Sequence, residues 1–389
     1  MPRGRRTPPM KSLVAALFCF SAALLQAAPH AAGPVITSSE NGYLGKYTRI
    51  FEDTSANMDV DQVLAQGIFY QSDKAVPNLG ISASAFWVCV QLENDTKENH
   101  VLLDLEHTEI EKVDLYLLRD GKSTQIASTG QGRPISTRDV AQPEFVFSLP
   151  IPSGANSTIL LRLSSSKQLQ VPLKVYSPIG FAQAISAKDL RIGIYIGIML
   201  ALALYNLFVF ISVKDRTYII YVAYIVVICL AQLSFWGIFQ FYITPKYPWI
   251  SAKSSLIFTF SSAILASEFM KRFIHTKENA PVFHSGIKYF YSLFGIVMVL
   301  YLFLSPSRGY QLAQFAAGLF ATYMFITILK VRRKGSRQAV YFLISWSVFL
   351  LGVLIFTLKD MGIIPYDDFT VFAMPLGSAL EGVLLSFGL

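Results

Sequence analysis

Long apolar segments dominate the C-terminal half of the chain. Beyond Ser177-Pro178-Ile179-Gly180, apolar runs alternate with short polar segments. A helix needs about 20 residues to cross roughly 30 Å of hydrocarbon, and lipid offers no hydrogen-bond partner to a bare backbone amide. The pattern predicts an all-α bundle of seven transmembrane helices, at residues 192–213, 217–238, 249–270, 286–304, 309–330, 339–358 and 369–389.

The first 27 residues have the features of an export signal. Basic residues precede an apolar stretch at 12–25 that is too short for a standard transmembrane span. Leu25-Gln26-Ala27 then resembles the small-residue motif at which signal peptides are cleaved. We therefore predict a cleaved signal peptide at residues 1–27, with an uncleaved anchor as the alternative. Both interpretations place the next segment outside the cytoplasm.

Residues 42–177 alternate apolar and polar side chains with a period of two, which is typical of half-buried strands. The predicted apolar faces carry Phe86, Val88, Val90 and Leu92; Val101, Leu103 and Leu105; Val113, Leu115 and Leu117; Phe145, Phe147 and Leu149; Ile159, Leu161 and Leu163; and Leu169, Val171, Leu173 and Val175. Short strands without a long helix predict an exported antiparallel β-sandwich, jelly-roll-like, of the kind that serves as a binding module. Residues 178–191 are predicted to link it to the membrane domain.

Two local signals refine the strand prediction. Asp120-Gly121 follows the strand that contains Leu117, and this pair favours a tight hairpin turn. Pro172 lacks the amide proton that a central strand donates. We therefore expect the last strand to lie at a sheet edge or to carry a bulge.

The charges of the connecting segments predict the orientation independently of the export signal. Most basic residues lie in alternate connections: Lys214, Arg216, Lys271, Arg272, Lys277, Lys288, Lys330, Arg332, Arg333, Lys334 and Arg337. The remaining connections carry only Lys246, Arg308 and Lys359. Because positive residues stay on the cytoplasmic side, both signals place the β-rich segment outside and Leu389 inside.

Composition excludes several other classes of protein. Apolar residues make up 53% of the chain and charged residues only 15%, which is outside the usual range for soluble proteins. The net charge of +8 is spread over the N-terminus and the connections, so no nucleic-acid partner is predicted. Cys19, Cys89 and Cys229 lie in three different segments and are not expected to form a disulfide. No catalytic or metal-binding motif is found, so no enzyme activity, metal or cofactor is predicted.

Four residues of the β-rich segment are candidates for ligand binding. Trp87 and Tyr116 are predicted to project from the outer face of a sheet, where an aromatic ring stacks on a sugar. Arg133 and Arg138 lie on a predicted loop nearby and would supply polar anchors. The alternative is that Trp87 packs in a core and that both arginines are solvated.

Glu381 lies midway along the predicted seventh span. A charge at the centre of a span costs roughly 2.5–3.5 kcal/mol, so this residue needs a polar partner or a proton. Asn206 on the first span is the predicted partner. We weigh a structural or signal-coupling hydrogen bond between them against a proton or ion pathway.

Several motifs together resemble the bacterial seven-transmembrane receptors with diverse intracellular signalling modules. In the exported part they are Asn78-Leu79-Gly80, Phe86-Trp87, Leu92-Glu93-Asn94 and Lys112-Val113-Asp114-Leu115-Tyr116-Leu117, which are similar to the type 2 extracellular sensor domain of that family. In the membrane part they are Leu204-Tyr205-Asn206-Leu207-Phe208 and Leu380-Glu381-Gly382-Val383-Leu384-Leu385-Ser386-Phe387. The resemblance covers roughly residues 45 to 389.

The resemblance implies a receptor in a bacterial inner membrane, surrounded by lipid. Its jelly-roll domain would lie in the periplasm and bind a small molecule or glycan, and its bundle would signal to a cytoplasmic effector in cis or in trans. A histidine kinase, a diguanylate cyclase or a phosphatase is typical, and the sequence ends at Leu389 before any such domain. A homodimer is a further expectation. The rival hypothesis is a transporter or channel with an accessory exported domain.

Overall fold

The computed structural model describes residues 35–36, 42–119, 122–304 and 306–388. Within these residues an antiparallel β-sheet domain, hereafter the β-domain (35–36 and 42–177), precedes seven long helices, hereafter the bundle (178–388). This architecture confirms the predicted fold class. The predicted signal peptide lies outside the described residues.

One layer of the β-domain is a seven-stranded sheet. Its strands are β1 (Val35–Ile36), β2 (Arg49–Asp53), β3 (Tyr70–Gln71), β5 (Ala85–Asn94), β7 (Lys112–Arg119), β8 (Lys122–Thr129) and β10 (Asn156–Ser164). They follow the order β3-β2-β5-β10-β7-β8, and β1 pairs with β5 in parallel. Because Arg119 pairs with Lys122, β7 and β8 form the predicted hairpin, whose turn lies outside the described residues.

Five short strands form the opposite layer. They are β4 (Asn78–Gly80), β6 (Val101–Leu105), β9 (Phe145–Leu149), β11 (Leu169–Gln170) and β12 (Leu173–Tyr176). The order β12-β6-β9 makes a three-stranded sheet, and β11 pairs with β4 alone. Pro172 separates β11 from β12, and β12 lies at a sheet edge, as its missing amide proton predicts.

The core of the β-domain lies between the two layers. Every residue that the alternation assigns to an apolar face is buried there in one cluster. Residues at the intervening positions therefore point to the outer faces of the sheets. On the seven-stranded sheet that outer face is covered by helix α1 (Val60–Gln66), whose Val63 packs against Trp87 and Leu160.

The described part of the bundle contains seven helices that are long and apolar enough to cross a membrane. They are α2 (Pro178–Val213), α3 (Arg216–Phe235), α4 (Pro248–Phe273), α6 (Pro281–Phe303), α7 (Pro306–Arg332), α8 (Arg337–Asp360) and α9 (Asp368–Gly388). A π-helix (Phe239–Ile243) follows α3, and the short helix α5 (Thr276–Asn279) follows α4. The number of spans agrees with the sequence prediction.

The side chains of the bundle are distributed as a lipid solvent requires. Large apolar residues such as Phe208 and Phe315 lie exposed on the outside, whereas Asn206 and Glu381 are buried between helices. In lipid, apolar side chains gain nothing from being inside, and polar groups need partners within the protein. The bundle is therefore built for contact with membrane lipid.

Residues 178–191, predicted as a linker, are helical and continuous with the first span. The Ser177 side chain accepts a hydrogen bond from the Gly180 amide, and Pro178 occupies the first turn, where its missing amide proton costs nothing. No breaker follows until Lys214, which adopts a left-handed conformation (φ 63°). Only Ser177 therefore separates strand β12 from a helix of 36 residues.

Glycines allow α8 and α9 to pack closely. A Cβ atom added at Gly352 would lie 2.4 Å from the carbonyl oxygen of Ala373 and 3.3 Å from Cα of Gly377. Both contacts are with backbone atoms, which cannot swing aside. Small residues at such crossings let transmembrane helix backbones approach each other.

Candidate functional site

The β-domain is hydrogen-bonded to one end of the bundle. Successive spans alternate in direction, so the α3–α4, α6–α7 and α8–α9 connections lie at the same end. The bonds at this junction run from Thr108 Oγ1 to the Phe235 carbonyl (2.7 Å), from Asn78 Nδ2 to the Asp360 carbonyl (2.6 Å), from Gln170 Nε2 to the Lys359 carbonyl (3.0 Å) and from Gln240 Nε2 to the Gln131 carbonyl (3.0 Å).

A cavity of about 270 Å³ lies within this junction. Its walls come from both parts: β6 and β12 of the β-domain, the first turns of α2, and the α8–α9 connection. Titratable side chains line it densely: Asp104, Glu106, His107, Glu109, Glu144, Lys167, Lys174, Lys188, Arg191, Lys359, Asp360 and Asp368. Such a concentration of charge at a buried place needs pairing.

Each of the five Lys and Arg residues in the cavity wall has an acidic partner. The pairs are Lys167–Glu109 (2.5 Å), Lys174–Glu106 (2.9 Å), Arg191–Asp368 (2.6 Å), Lys359–Asp360 (2.8 Å) and Lys188–Glu144. Arg191–Asp368 is the most exposed pair and contributes little stability. The other four are largely buried, so removing one member would leave its partner uncompensated.

Asp104 is the sixth acid of the wall and forms no salt bridge with any described residue. It points outward from β6, in register with Lys174 of β12, and is only 4% exposed. Its Oδ1 atom is buried without a hydrogen-bond partner in the described structure. Burial, helped by nearby Glu106, raises the pKa of this carboxyl to about 7. Asp104 is therefore poised to take up a proton or a cationic group.

His107 does not supply the missing cation. Burial lowers the pKa of its imidazole to about 4. The ring is therefore neutral near pH 7, and the charge of Asp104 stays uncompensated by it.

Two tyrosines of the cavity wall, Tyr43 and Tyr366, pack against each other. The Tyr43 and Tyr366 rings meet edge to face with centroids 5.4 Å apart. Lys174 Nζ lies 4.3 Å from the Tyr43 centroid and Lys359 Nζ 4.8 Å from the Tyr366 centroid. Tyr43 donates a hydrogen bond to Glu106 (2.8 Å), and burial raises the pKa of its hydroxyl well above the usual range. The wall therefore holds ammonium groups between carboxylates and aromatic faces.

Two of the predicted ligand-binding residues, Trp87 and Tyr116, lie away from this cavity. They occupy the outer face of the seven-stranded sheet, with ring centroids 5.8 Å apart. Helix α1 covers Trp87, which is 0% exposed, so its ring presents no free face in this structure. Tyr116 is partly exposed. Ligand binding by this pair stays a prediction.

The two predicted arginines are both held by neighbouring groups. Arg133 donates to Asp114 Oδ1 (2.7 Å) beside Tyr116. Arg138 lies over the Phe145 ring (4.9 Å) and donates to Gln240 of the π-helix (3.3 Å). Arg138 is thus part of the junction rather than a solvated residue, and a ligand-binding role for either arginine stays a prediction.

Glu381 is bonded to Tyr224 on α3 and not to Asn206. The Tyr224 hydroxyl donates to Glu381 Oε2 (2.6 Å), whereas Asn206 Nδ2 donates to Ser386 Oγ (3.1 Å). Sequence spacing could not reveal this, because it does not show which residues of neighbouring helices face Glu381. Asn206 and Glu381 nevertheless both tie α9 to its neighbours, and a signal-coupling role for them stays a prediction.

The cavity itself was missed by the sequence analysis. Asp104 offered one signal, since it is an acid between Leu103 and Leu105 of a strand and therefore faces away from the core. The partners that surround it come from β12, from α2 and from the α8–α9 connection, far apart in the sequence. Among the described residues, no group of three or more His, Cys, Asp or Glu side chains is arranged to hold a metal ion.

Comparison with known families identifies both parts of the chain. A family model described as 7TM diverse intracellular signalling matches residues 188–389, just over half of the chain. The chain belongs to this family. A second model, described as 7TMR-DISM extracellular 2, matches residues 45–177 of the receptor, which is nearly the whole β-domain. No curated protein matches the receptor in sequence. The predicted family and the type of its extracellular domain are thus confirmed.

The charge state of Asp104 predicts how the stability of the receptor depends on pH. The folded state holds the Asp104 proton up to about pH 7, whereas the unfolded chain releases it near pH 3.8. Stability from this group is therefore fully present below pH 3.8 and lost as the pH rises through about 7. Asp104→Asn should match the parent near pH 3, gain on it as the pH rises from 3.8 to 7, and exceed its stability at pH 8 by up to roughly 4 kcal/mol.

The prediction is checked by measuring the unfolding of the parent and of Asp104→Asn by calorimetry between about pH 3 and 8. His107 acts in the opposite direction, since its lowered pKa makes stability rise between about pH 4 and 6.5, but it is common to both proteins and cancels in the difference. Glu106, Lys174 and Lys188 are the charged groups that act on Asp104, and they are present in both proteins. Asp73→Asn, at an exposed site, is the matched control. A pH-independent difference would show that folding does not raise the pKa of Asp104.

Proposed function

We propose that this chain is a receptor of a bacterial inner membrane whose β-domain, on the periplasmic side, binds a small molecule or a carbohydrate. The bundle then passes the bound state to a cytoplasmic effector in cis or in trans. The single observation that carries the proposal is the cavity whose walls come from both the β-domain and the bundle. A ligand in a shared cavity loses or gains contacts when the two parts move, which is how binding shifts a conformational equilibrium.

A continuous route from the cavity through the bundle supports the proposal. Helix α2 begins in the cavity wall and crosses the whole bundle. Along its length, Tyr195 bonds Ser378 (3.1 Å) and Asn206 bonds Ser386 (3.1 Å) on α9. On α3, Tyr221 donates to the Gly382 carbonyl (2.7 Å). A shift of α2 at the cavity thereby moves α9 at the opposite end, where an effector would be reached.

The proposal is tested by distance measurements on the full chain in lipid nanodiscs. Spin labels are placed on Val213→Cys and Phe387→Cys, two exposed positions at the end of the bundle that faces away from the β-domain. A panel of monosaccharides, amino acids and simple amines is added, and binding is measured in parallel. We expect a solute that binds to change the distance distribution between the labels.

The size of the change is set by the preference of the ligand. Moving an equilibrium from 1:99 to 99:1 takes about 5.5 kcal/mol of differential affinity. A solute that binds and leaves every distance unchanged would contradict the proposal. Transmembrane flux of the same solute in proteoliposomes would favour a transporter instead.

A further inference from the structure

The cavity at the junction contains one carboxylate, that of Asp104, which has no partner among the described residues and no assigned role. Asp104 projects from the outer face of β6 toward the first turns of α2. It is 4% exposed, and its Oδ1 atom is buried without a hydrogen-bond partner in the described structure. A buried, unsatisfied and unpaired carboxylate oxygen is costly, so its retention in a cavity points to a partner that arrives from outside.

The charge balance of the wall indicates which sign the partner carries. Among the described residues, six acids and five Lys or Arg residues line the cavity, and all five cations are already paired with the other acids. His107 is neutral because burial lowers its pKa to about 4. When Asp104 is ionised, one negative charge is therefore left over, and a ligand with one positive charge would balance it.

We propose that the cavity binds a small organic cation, a protonated amine, with Asp104 as its anchor. This inference rests on the proposed receptor function and specifies the chemical class of its ligand. It places the binding site at the junction of the β-domain and the bundle, and not on the outer face of the seven-stranded sheet where Trp87 lies.

The lining chemistry favours an ammonium group over other partners. The wall already holds two lysine ammonium groups between a carboxylate and a tyrosine ring, at Tyr43 and at Tyr366. Cations prefer such aromatic faces. A sugar hydroxyl would satisfy Oδ1 of Asp104 but leave its charge uncompensated. A metal ion would need several ligand side chains, and no such group occurs among the described residues.

Amine binding is tested by calorimetric titration of the full chain in phosphatidylcholine nanodiscs at pH 8. The probes are ethanolamine, butylamine and phenethylamine, each with its neutral counterpart: ethylene glycol, 1-butanol and 2-phenylethanol. We expect at least one amine to bind and its alcohol to bind far more weakly. A hydrogen bond between charged groups contributes about 1.5–3 kcal/mol, so Asp104→Asn should weaken binding roughly tenfold to a hundredfold.

Two controls separate loss of the anchor from loss of the fold. Asp73→Asn removes an exposed carboxylate elsewhere on the β-domain and should leave amine affinity unchanged. Asp104→Asn should also be at least as stable as the parent at pH 8, because it removes a buried unpaired charge. If Asp104→Asn unfolds at the same or a higher temperature than the parent but no longer binds the amine, the loss is due to the missing anchor and not to unfolding.

Three results would overturn the inference: alcohols that bind as well as amines, undiminished amine binding by Asp104→Asn, or no binding of any amine. A sugar that binds and moves the helix ends while amines do not would overturn it and leave the receptor function standing. An amine that binds through Asp104 without moving the helix ends would support it and contradict the receptor function.

Discussion

Alanine at Gly352 is expected to destabilise the bundle. The added Cβ atom would lie 2.4 Å from the Ala373 carbonyl oxygen, well inside contact distance, so α8 and α9 must move apart. Overpacking of this kind costs about 1–3 kcal/mol, and here the obstacle is backbone. We expect a lower yield of folded protein and a lower unfolding temperature in detergent, read by size-exclusion chromatography and differential scanning fluorimetry.

Gly193→Ala is the matched control for this change. Gly193 also lies inside a span, on α2, but nothing lies within 4 Å of an added Cβ atom there. Alanine has the higher helix propensity, so the control should be neutral or slightly stabilising. Equal losses in the two variants would mean that the close approach of α8 and α9 does not limit stability.

Alanine at Gly237 is expected to loosen the β-domain from the bundle. Gly237 follows α3 with φ 73°, and an added Cβ atom would lie 2.8 Å from the Pro143 carbonyl oxygen and 3.0 Å from Thr108 Cβ. Thr108 donates the hydrogen bond to Phe235 that fixes this corner. A left-handed alanine costs about 1–2 kcal/mol, and the clash adds to it, so the junction should open more often.

Hydrogen exchange measures this opening directly. The Ile135 amide bonds the Pro245 carbonyl across the junction (3.1 Å), and its exchange should become roughly tenfold faster or more in Gly237→Ala. Gly335→Ala has the same backbone strain (φ 87°) at the opposite end of the bundle, where an added Cβ atom meets nothing within 4 Å. If both variants left the Ile135 amide equally protected, the β-domain would not depend on this contact.

Much of the fold followed from periodicity alone. Every apolar-face residue of the predicted strands is buried between the two sheets, because a period of two assigns each side chain to one face without knowledge of strand order. The seven spans were equally clear, since their length is set by the bilayer. The continuation of α2 through residues 178–191 was missed because its polar residues, such as Lys188 and Arg191, do not fit a span.

The candidate site could not be predicted in the same way. Trp87 was chosen because an aromatic residue on an outer face is a frequent binding residue, but α1 folds over it, and that contact depends on tertiary packing. Asp104 and Lys359 meet at the cavity although they are far apart in the chain. A local sequence pattern does not show which distant residues come into contact. The partner of Glu381, Tyr224, could not be predicted for the same reason.

Helix α2 is longer than the hydrocarbon layer is thick, and this determines how a solute would reach the cavity. At about 1.5 Å per residue, its 36 residues span roughly 54 Å, whereas the hydrocarbon layer is only about 30 Å thick. The first turns, which carry Phe181 and Lys188 beside the β-domain, therefore stand clear of the acyl chains. A hydrophilic ligand would therefore reach the cavity from water without entering the lipid, and a tilt of α2 would displace its other end in the opposite leaflet.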